Sequence, residues 1–499
     1  MTDRKDALKL PTQPKVFGFY VDGKNHGQGH REMSERKSPG HGVPVTRAPL
    51  CTKEDLDNAV NVAKNTFQSG VWSNISGAER ADVLLKAAAG IRDRLEEIAY
   101  WETLETGKPI SQCRDEIGGA AGHYEYAAGV ARTLHGETFN NLGDKMIGLV
   151  TRQPIGVIGL ITPWNFPFII LAERIPYMLA AGCTIVAKPA EVTPTSTLIM
   201  AEILTQAGLP NGVFNVVTGL GSVIGQAMAE HENIDVLSFT GSIDVGRRVL
   251  LASAGNFKKT CLELGGKNPQ IVFADADLED AADGVVFGTC FNAGQCCVSG
   301  SRLIVESSIA EEFEKLLVEK FAKVRLGDVL EPDTQLGAIV TDEHQAKILS
   351  YVDTGLKEGA KLACGGEVAE IAGGRFIRPT LLTKVTNDMV VAREEIFGPV
   401  LAMITFETLD EAMEIANDNI FGLAASIWTK NIDKAVATMR RVEAGRTWVN
   451  TTIAGGPELP IGGFKQSGSG RETGVYGVEE YTEVKSIHIE IGKRDPWVN

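Results

Sequence analysis

The sequence has few cysteines for its length, and their arrangement excludes two classes of protein. Its eight cysteines are scattered along 499 residues without a single Cys-x-x-Cys pair. A disulfide-stapled secreted domain needs dense, regularly spaced cysteines, and a structural zinc site normally uses closely spaced pairs. We therefore predict free thiols, a reducing compartment and no metal site.

Basic residues and long apolar runs are also scarce. Lysine and arginine number 49 against 64 acidic residues, and the net charge of −15 would repel a phosphate backbone. Residues 1–11 carry charges where a signal peptide needs an apolar run. The longest uncharged stretch, 154–172, is interrupted by Pro163 and Pro167, which disfavours a membrane span. These features predict a cytoplasmic protein with no nucleic-acid and no membrane partner.

What the sequence does have is length, apolar residues and glycine. At about 150 residues per domain, 499 residues predict about three folding units or one large two-lobed body. Apolar residues make up 43% of the chain, which is enough for a sizeable core. The 54 glycines indicate tight turns and places where the backbone approaches something closely.

The first part of the chain is predicted to be helical and to end in a hairpin. Thr52 has the position of a helix N-cap, and Gly70 has that of a helix stop. Further helices are predicted over residues 79–97 and 110–134, and a β-hairpin over 137–152.

From Pro154 onward, short apolar segments alternate with helical ones. The predicted strands are 157–161, 184–188, 213–218 and 236–239, and the predicted helices are 166–181, 195–207, 222–230 and 245–254. This alternation predicts an α/β fold with a parallel sheet covered on both faces and ligands at the carboxyl ends of its strands. A second β/α series is predicted from 269 to 462. The tail, 481–491, is predicted to be an amphipathic strand that needs a partner edge, which another subunit could supply.

Two short motifs contain candidate catalytic groups, and each has a plainer structural alternative. The loop that ends in Cys296 and Cys297 could present a nucleophilic thiolate on a turn. The alternative is a pair of buried thiols that pack as small apolar residues. Glu263 ends an apolar strand and precedes two glycines, which would let a ligand approach the carboxylate. The alternative is a solvated or ion-paired glutamate.

Three further motifs lie at predicted strand ends. Asn165 could donate its side-chain amide to a ligand, or it could cap the next helix. The segment 240–242 ends a strand and opens a helix, which suits a pyrophosphate at the helix N-terminus. Lys188 and Glu191 place a cation and an anion three residues apart. The glycines near Gly221 have GxGxxxG spacing, which departs from the dinucleotide fingerprint.

The order of these motifs resembles that of the aldehyde dehydrogenase superfamily over essentially the whole chain. The matching segments are 162–167, 188–191, 239–246, 263–267, 294–297, 395–399 and 462–472. The resemblance implies oxidation of a small-molecule aldehyde to a carboxylic acid, with NAD, or alternatively NADP, as the cofactor. It implies a cysteine thiohemiacetal and a thioester, hydrolysed by glutamate-activated water.

The resemblance also implies roles for individual residues. Cys297 would be the nucleophile and Glu263 the general base, and Asn165 with the Cys297 N–H would form the oxyanion hole. Lys188 belongs to the implied catalytic set and, with Glu191, to the adenine-ribose site. The implied cofactor contacts are Ile161, Thr162, Trp164, Lys188, Glu191, Gly221, Gly225, Thr240, Gly241, Ser242, Leu264, Glu395 and Phe397. The implied substrate tunnel is lined by Phe166, Ile170, Glu173, Cys296, Val298 and Ile453.

The implied architecture is a doubly wound parallel-sheet cofactor domain, a related α/β catalytic domain and a β-ribbon oligomerisation arm. The expected bounds are 1–134 with 155–264, then 265–466, then 135–154 with 481–499. The arm would make the protein a homodimer or a homotetramer.

Further alternatives concern the activity and the substrate. A CoA-acylating member of the superfamily would lack the base Glu263, and a non-enzymatic structural protein on the same scaffold would lack the nucleophile. The loop 450–460 has no aromatic residue. Members of the superfamily that oxidise betaine aldehyde usually place a Trp there for a cation–π contact, so betaine aldehyde is disfavoured as the substrate. Glu173 either selects aldehydes with a distal amine or simply pairs with Arg174.

Overall fold

The computed structural model describes residues 8–27, 31–371, 373–494 and 496–498 and has a mixed α/β fold. Two large, mainly parallel sheets form its centre, and a three-stranded ribbon and smaller strand pairs surround them. Within the residues described, every helix is too short or too polar to cross a membrane.

The first large sheet has eight strands. In spatial order they are Gly468–Ser469, Lys259–Glu263, Val236–Thr240, Val157–Ile161, Thr184–Lys188, Phe214–Val216, Phe19–Val21 and Lys24–His26. The five strands from Lys259–Glu263 to Phe214–Val216 are parallel. Chain order reverses between Val157–Ile161 and Val236–Thr240, and such a reversal leaves a crevice at the carboxyl ends of the two strands.

Alternate residues of these strands pack into two different apolar clusters. Ile158 and Leu160 belong to one cluster, whereas Val157 and Ile161 belong to the other. Side chains point alternately to the two faces of a strand, so both faces of this sheet are buried. The prediction of a parallel sheet covered on both sides is confirmed.

The second large sheet has seven strands. In spatial order they are Lys361–Cys364, Thr380–Thr383, Val400–Phe406, Arg302–Glu306, Pro269–Val272, Ala424–Trp428 and Arg446–Val449. All neighbours in it are parallel except the first pair, which is antiparallel. Smaller pairings join Lys15–Val16, Pro44–Pro49 and Met33–Lys37, then Val368–Ala369 with Phe376–Ile377, and Phe421–Gly422 with Phe464–Lys465.

The ribbon consists of Glu137–Phe139, Met146–Pro154 and Thr482–Glu490, paired antiparallel. The predicted hairpin and terminal strand are therefore present. The partner edge of the terminal strand lies on this same chain, where Lys485 pairs with Thr151. Another subunit is not needed to supply that edge.

The α-helices cover both large sheets. Those before and within the first sheet are Lys53–Ser69, Gly77–Asp93, Leu95–Thr106, Ile110–Thr133, Pro167–Ala172, Ile175–Ala181, Thr195–Gln206, Gln226–Glu230 and Ile243–Ser253. The later ones are Leu278–Cys290, Ala310–Lys323, Asp342–Glu358, Val390–Arg393, Leu409–Asn417, Ile432–Arg441 and Gly474–Glu480. The predicted N-cap Thr52 is confirmed, because its hydroxyl accepts from the Asp55 N–H, and Gly70 ends that helix at φ 74°.

Two helices predicted as continuous are each broken in two, so those predictions are wrong. The helix predicted over 79–97 breaks at Arg94 (φ −105°, ψ 14°), and its second part continues to Thr106. The helix predicted over 166–181 ends at Ala172 and restarts at Ile175. Pro176 accounts for this second break, because proline lacks the N–H that a continuous helix would use and its ring clashes with the preceding turn.

Candidate active site

A cavity of about 240 Å³ lies at the crevice that the strand reversal creates. Its lining residues are Pro163, Trp164, Asn165, Thr240, Gly241, Ser242, Glu263, Leu264, Gly265, Cys297, His344, Lys347, Glu395 and Phe397. The first large sheet, the second β/α series and the thiol loop all contribute to it. Ten residues expected from the sequence to form the site are thereby brought together.

The thiol loop follows the helix Leu278–Cys290 and turns sharply before the two cysteines. Asn292 and Ala293 have left-handed φ values of 49° and 53°. A side chain on Gly294 would lie 2.2 Å from the carbonyl group of Gly398, so this position accepts only glycine. The turn leaves Cys297 partly exposed to the cavity and keeps Cys296 buried.

The motif that carries Glu263 packs directly against the thiol loop. Asn268 donates its side-chain amide to the carbonyls of Cys297, at 2.7 Å, and Ser299, at 2.8 Å. A side chain on Gly266 would lie 2.5 Å from the Cys297 carbonyl oxygen. The glycines after Glu263 therefore allow the loop and the strand end to approach each other.

Burial and neighbouring groups raise the pKa values of the thiol and the carboxyl in this cavity. Burial raises the pKa of Glu263 to about 8, opposed by the Arg174 guanidinium and reinforced by the negative charge of Glu472. The Glu263 atom Oε1 has no hydrogen-bond partner among the described residues. Hydrogen bonding with the neighbouring Cys296 thiol, together with burial, raises the pKa of Cys297 well above its ordinary value. A carboxyl group with a pKa of about 8, as in Glu263, can exchange protons near neutral pH.

Asn165 is oriented by the thiol loop. The Asn165 side-chain amide donates to the Gln295 backbone carbonyl at 3.1 Å. The Asn165 backbone carbonyl accepts from the Asn292 side-chain amide at 2.9 Å. Gln295 is fixed in turn by the backbone of Ala338 and Val340. The amide of Asn165 is thus a positioned donor on the cavity wall.

Trp164, Phe397 and His344 form a group of three rings on another wall. Their ring centres are 5.5 to 6.0 Å apart, and His344 Nε2 lies 2.7 Å from the Phe397 carbonyl oxygen. Sequence reasoning missed His344 and Lys347 as site residues. Their i, i+3 spacing places both on one face of a helix, but nothing nearby in the sequence connects that face with the other motifs.

The Glu395 carboxyl group contacts Gly265 and Gly266, the two glycines of the Glu263 motif. The Gly266 N–H donates to Glu395 Oε1 at 2.9 Å, and a side chain on Gly265 would collide with the same carboxyl group. Burial raises the pKa of Glu395 to about 7. Nearby Lys267 is buried without a hydrogen-bond partner among the described residues, and burial lowers its pKa to about 7.

The remaining predicted cofactor residues gather at the ends of the two central strands rather than in the cavity. The Thr162 N–H donates to the Lys188 carbonyl at 3.1 Å. The ammonium group of Lys188 lies 3.8 Å from the Glu191 carboxylate. A side chain on Gly225 would touch Ile161 and Lys188 at 3.8 Å. Gly221 begins the single π-helical turn that ends at Gly225.

These groups suit a nucleotide cofactor. Glu191 is a partly exposed acceptor, Ser242 caps the helix Ile243–Ser253, and the buried Thr240 hydroxyl has no partner within the described residues. Acceptors for ribose hydroxyls and a helix N-terminus for phosphate occur along one edge of the sheet, as dinucleotide binding requires.

The predicted tunnel residues occupy two places. Phe166, Ile170 and Cys296 pack together with Ile169, Phe291 and Val298. Ile453 lies in the loop after Asn450, with a left-handed φ of 53°.

Glu173 is the C-terminal flanking residue of the helix Pro167–Ala172, and its N–H still donates to the Ile169 carbonyl at 2.9 Å. Its carboxylate lies 3.6 Å from the Arg174 guanidinium. This arrangement supports the ion-pair alternative.

A partly exposed thiol, a buried carboxyl and a fixed amide meet where the chain order of a parallel α/β sheet reverses, an arrangement typical of nucleotide-dependent enzymes with a cysteine in the site. The profile of the aldehyde dehydrogenase family matches residues 26–487. The chain therefore belongs to the aldehyde dehydrogenase family.

Relatives and solved structures of this family cover nearly the whole chain. The chain is 42% identical over 439 residues to a betaine aldehyde dehydrogenase of Bacillus subtilis, covering 87% of this chain and 90% of that protein. It resembles the crystal structure of an NAD-dependent aldehyde dehydrogenase from Sinorhizobium meliloti with 48% identity and a TM-score of 0.96, over 97% of each chain. A Staphylococcus aureus betaine aldehyde dehydrogenase in complex with NAD+ matches with 35% identity and a TM-score of 0.94, again over 97% of each chain.

Proposed function

We propose that the protein oxidises an aldehyde to the carboxylic acid with NAD, using Cys297 as nucleophile. The observation that carries this proposal is that Cys297, Glu263 and Asn165 line one cavity. An aldehyde carbon holds its hydrogen too firmly to lose it as hydride, and addition of a thiolate to the carbonyl removes that obstacle. The cofactor supplies the hydride acceptor that conversion of the thiohemiacetal to a thioester requires.

Glu263 has two proposed proton-transfer roles. The Cys297 thiol is protonated at neutral pH, so a base must take its proton before the sulfur attacks. The same carboxylate would later activate the water that adds to the thioester carbon and expels the Cys297 sulfur. A pKa of about 8 lets the carboxyl exchange protons in both steps near neutral pH.

Asn165 would stabilise the negative oxygen that forms when the thiolate, and later water, adds to the carbonyl. Its amide is held beside the thiol loop before any substrate arrives, so little reorganisation is needed. Loss of one such preorganised donor typically costs about 3 kcal/mol of transition-state stabilisation.

The proposed cofactor contacts follow the sheet edge. Lys188 and Glu191 would bind the adenine ribose, and Ser242 a phosphate. Glu395 would bind the nicotinamide ribose, beside Phe397. The Glu191 carboxylate would accept hydrogen bonds from a ribose 2′-hydroxyl and repel a 2′-phosphate, which supports NAD over NADP.

For the substrate, we propose an uncharged aldehyde with an apolar substituent. An apolar cluster of Phe166, Ile169, Ile170, Phe291, Cys296 and Val298 lies next to the thiol loop. No aromatic residue of the loop 450–460 is available to hold a quaternary ammonium group, although two of the relatives described above are betaine aldehyde dehydrogenases.

An aldehyde panel tests these proposals. The protein is incubated with NAD and matched neutral, cationic and anionic aldehydes, and formation of reduced cofactor is followed. We expect turnover with neutral aldehydes and none with Cys297→Ala. No turnover with any aldehyde would contradict the activity, and a preference for betaine aldehyde would contradict the substrate class.

The division into a cofactor domain, a catalytic domain and an arm remains a prediction, as do the homodimer or homotetramer and the cytoplasmic location. The three-stranded ribbon supports the oligomer, because its strand Thr482–Glu490 is an edge strand with exposed Val484 and Ile489. Sedimentation of the parent and of Val484→Asp measures the assembly state.

A further inference from the structure

A buried ionic cluster lies behind the turn that carries Asn165. We call Glu102, Lys108 and Glu116 the Lys108 cluster. The Lys108 ammonium, which is fully buried, contacts Glu102 Oε1 at 2.7 Å and also the Glu116 carboxylate. Burying charges costs free energy even when they are paired, so the fold retains this cluster at an energetic cost. None of its members lines the cavity described above.

The cluster touches the Asn165 turn at two points. Glu102 Oε2 accepts the backbone N–H of Phe168 at 3.1 Å, which is one of the free N–H groups at the start of the helix Pro167–Ala172. The Lys108 ammonium lies 4.7 Å from the centre of the Phe166 ring. The residues directly after Asn165 are therefore held by a carboxylate on one side and by a cation over a ring on the other.

A second connection leads from the cluster to the thiol loop. The carbonyl of Gly107, next to Lys108, accepts from the Ala338 N–H at 2.8 Å. The Ala338 carbonyl in turn accepts from the Gln295 side chain at 3.2 Å. Gln295 provides the carbonyl to which Asn165 donates, so both ends of that hydrogen bond are linked to one buried segment.

We propose that Glu102 and Lys108 are positioning residues for the reaction, and that they act by fixing the direction in which Asn165 presents its amide. The inference rests on the proposed function, because it needs Asn165 as the oxyanion donor. Neither residue touches the reacting atoms, and their effect would pass entirely through the turn.

Glu102→Gln is the informative substitution. Glu102 accepts hydrogen bonds from Lys108 on one oxygen, and from the Phe168 N–H and the Ser196 hydroxyl on the other. A glutamine has one acceptor oxygen and must turn its NH₂ group toward one of these donors.

Glu116→Gln is the matched control. Like Glu102→Gln, it replaces a carboxyl group beside Lys108 with an amide, but Glu116 makes no contact with the turn in any described hydrogen bond or ion pair.

The experiment compares three rates in the full-length enzyme. The first is the pre-steady-state burst of reduced cofactor, which needs the oxyanion donor. The second is alkylation of Cys297 by iodoacetamide, which does not need it, and the third is NAD association. We expect Glu102→Gln to slow the burst by roughly ten- to thirtyfold and to leave the other two rates within about twofold. Glu116→Gln should keep the burst within about threefold of the parent.

A double substitution tests whether the effect passes through Asn165. If it does, Glu102→Gln should slow the burst no further once Asn165→Ala is present. Additive losses in the double variant, equal slowing of all three rates, or a loss of burst rate in Glu116→Gln as large as that in Glu102→Gln would each overturn the proposal.

If Glu102→Gln does not fold, Ser196→Ala must show the same selective loss of burst rate at about two- to fivefold, since it removes one hydrogen bond from the same oxygen. A parent that forms no reduced cofactor with any aldehyde overturns the proposed function and this inference together. A parent burst that Glu102→Gln leaves unchanged overturns only the inference.

Discussion

The pKa of Glu263 leads to a quantitative prediction for thioester hydrolysis. Below its pKa the carboxyl is protonated and cannot accept a proton from water, so the hydrolysis rate should rise with pH. With the pKa at about 8, the carboxylate fraction is about 1% at pH 6 and about 90% at pH 9, a rise of roughly ninetyfold. A glutamate with an ordinary pKa of about 4.3 would already be ionised at pH 6 and would give no rise.

A neighbouring charge shifts the midpoint of this profile in a known direction. The negative charge of Glu173 raises the pKa of Glu263. Glu173→Gln should therefore lower that pKa, and the rate should reach half its maximum at a lower pH than in the parent. Glu263→Gln is the control, and its residual hydrolysis should lack the transition near pH 8.

Stopped-flow fluorescence of reduced cofactor separates the two chemical steps. The burst reports acylation and hydride loss, and the slope after the burst reports thioester hydrolysis. Protonation of the Cys297 thiol affects the burst rather than the slope, because the sulfur is acylated while the thioester is hydrolysed. A slope that is constant between pH 6 and pH 9, or one that rises equally in Glu263→Gln, would refute the role of Glu263 as base.

Three further predictions concern the thiols, the cofactor and the substrate. Cys297→Ala should abolish aldehyde oxidation and Cys296→Ala should retain most of it; the opposite result in the turnover assay would reverse the assignment. The kcat/KM should be higher with NAD than with NADP, and Glu191→Gln should narrow the difference, whereas an NADP preference in the parent would contradict the role of Glu191. Because the Glu173 carboxylate faces Arg174 at 3.6 Å, Glu173→Gln should leave unchanged the ratio of kcat/KM for an ω-amino and an ω-carboxy aldehyde of equal length. A changed ratio would restore the alternative of amine selection.

The central strands and the chemistry at their ends could be predicted from the sequence because both are local signals. The apolar segments 157–161 and 184–188 are strands with the predicted bounds, and the motif around Glu263 ends a strand as expected. The thiol loop was also predicted, because its glycine and vicinal cysteines are adjacent in the chain.

What could not be predicted depends on contacts between distant segments. The hydrogen bond that orients Asn165 joins residues 130 positions apart. His344 enters the cavity from a helix whose sequence shows only ordinary amphipathic spacing. The break before Pro176 divides a segment whose continuous apolar pattern predicts one helix.

The edge of the first sheet has a consequence for how the enzyme matures during synthesis. The strand Lys259–Glu263 receives its outer partner from Gly468–Ser469, with Glu263 opposite Gly468. A ribosome must therefore translate the whole second β/α series before the strand that ends in Glu263 is paired on both sides. Contacts of such long sequence separation form late and slowly. A nascent chain can thus expose Cys297 before Glu263 is held in place, and activity should appear only when the segment around Gly468 has paired.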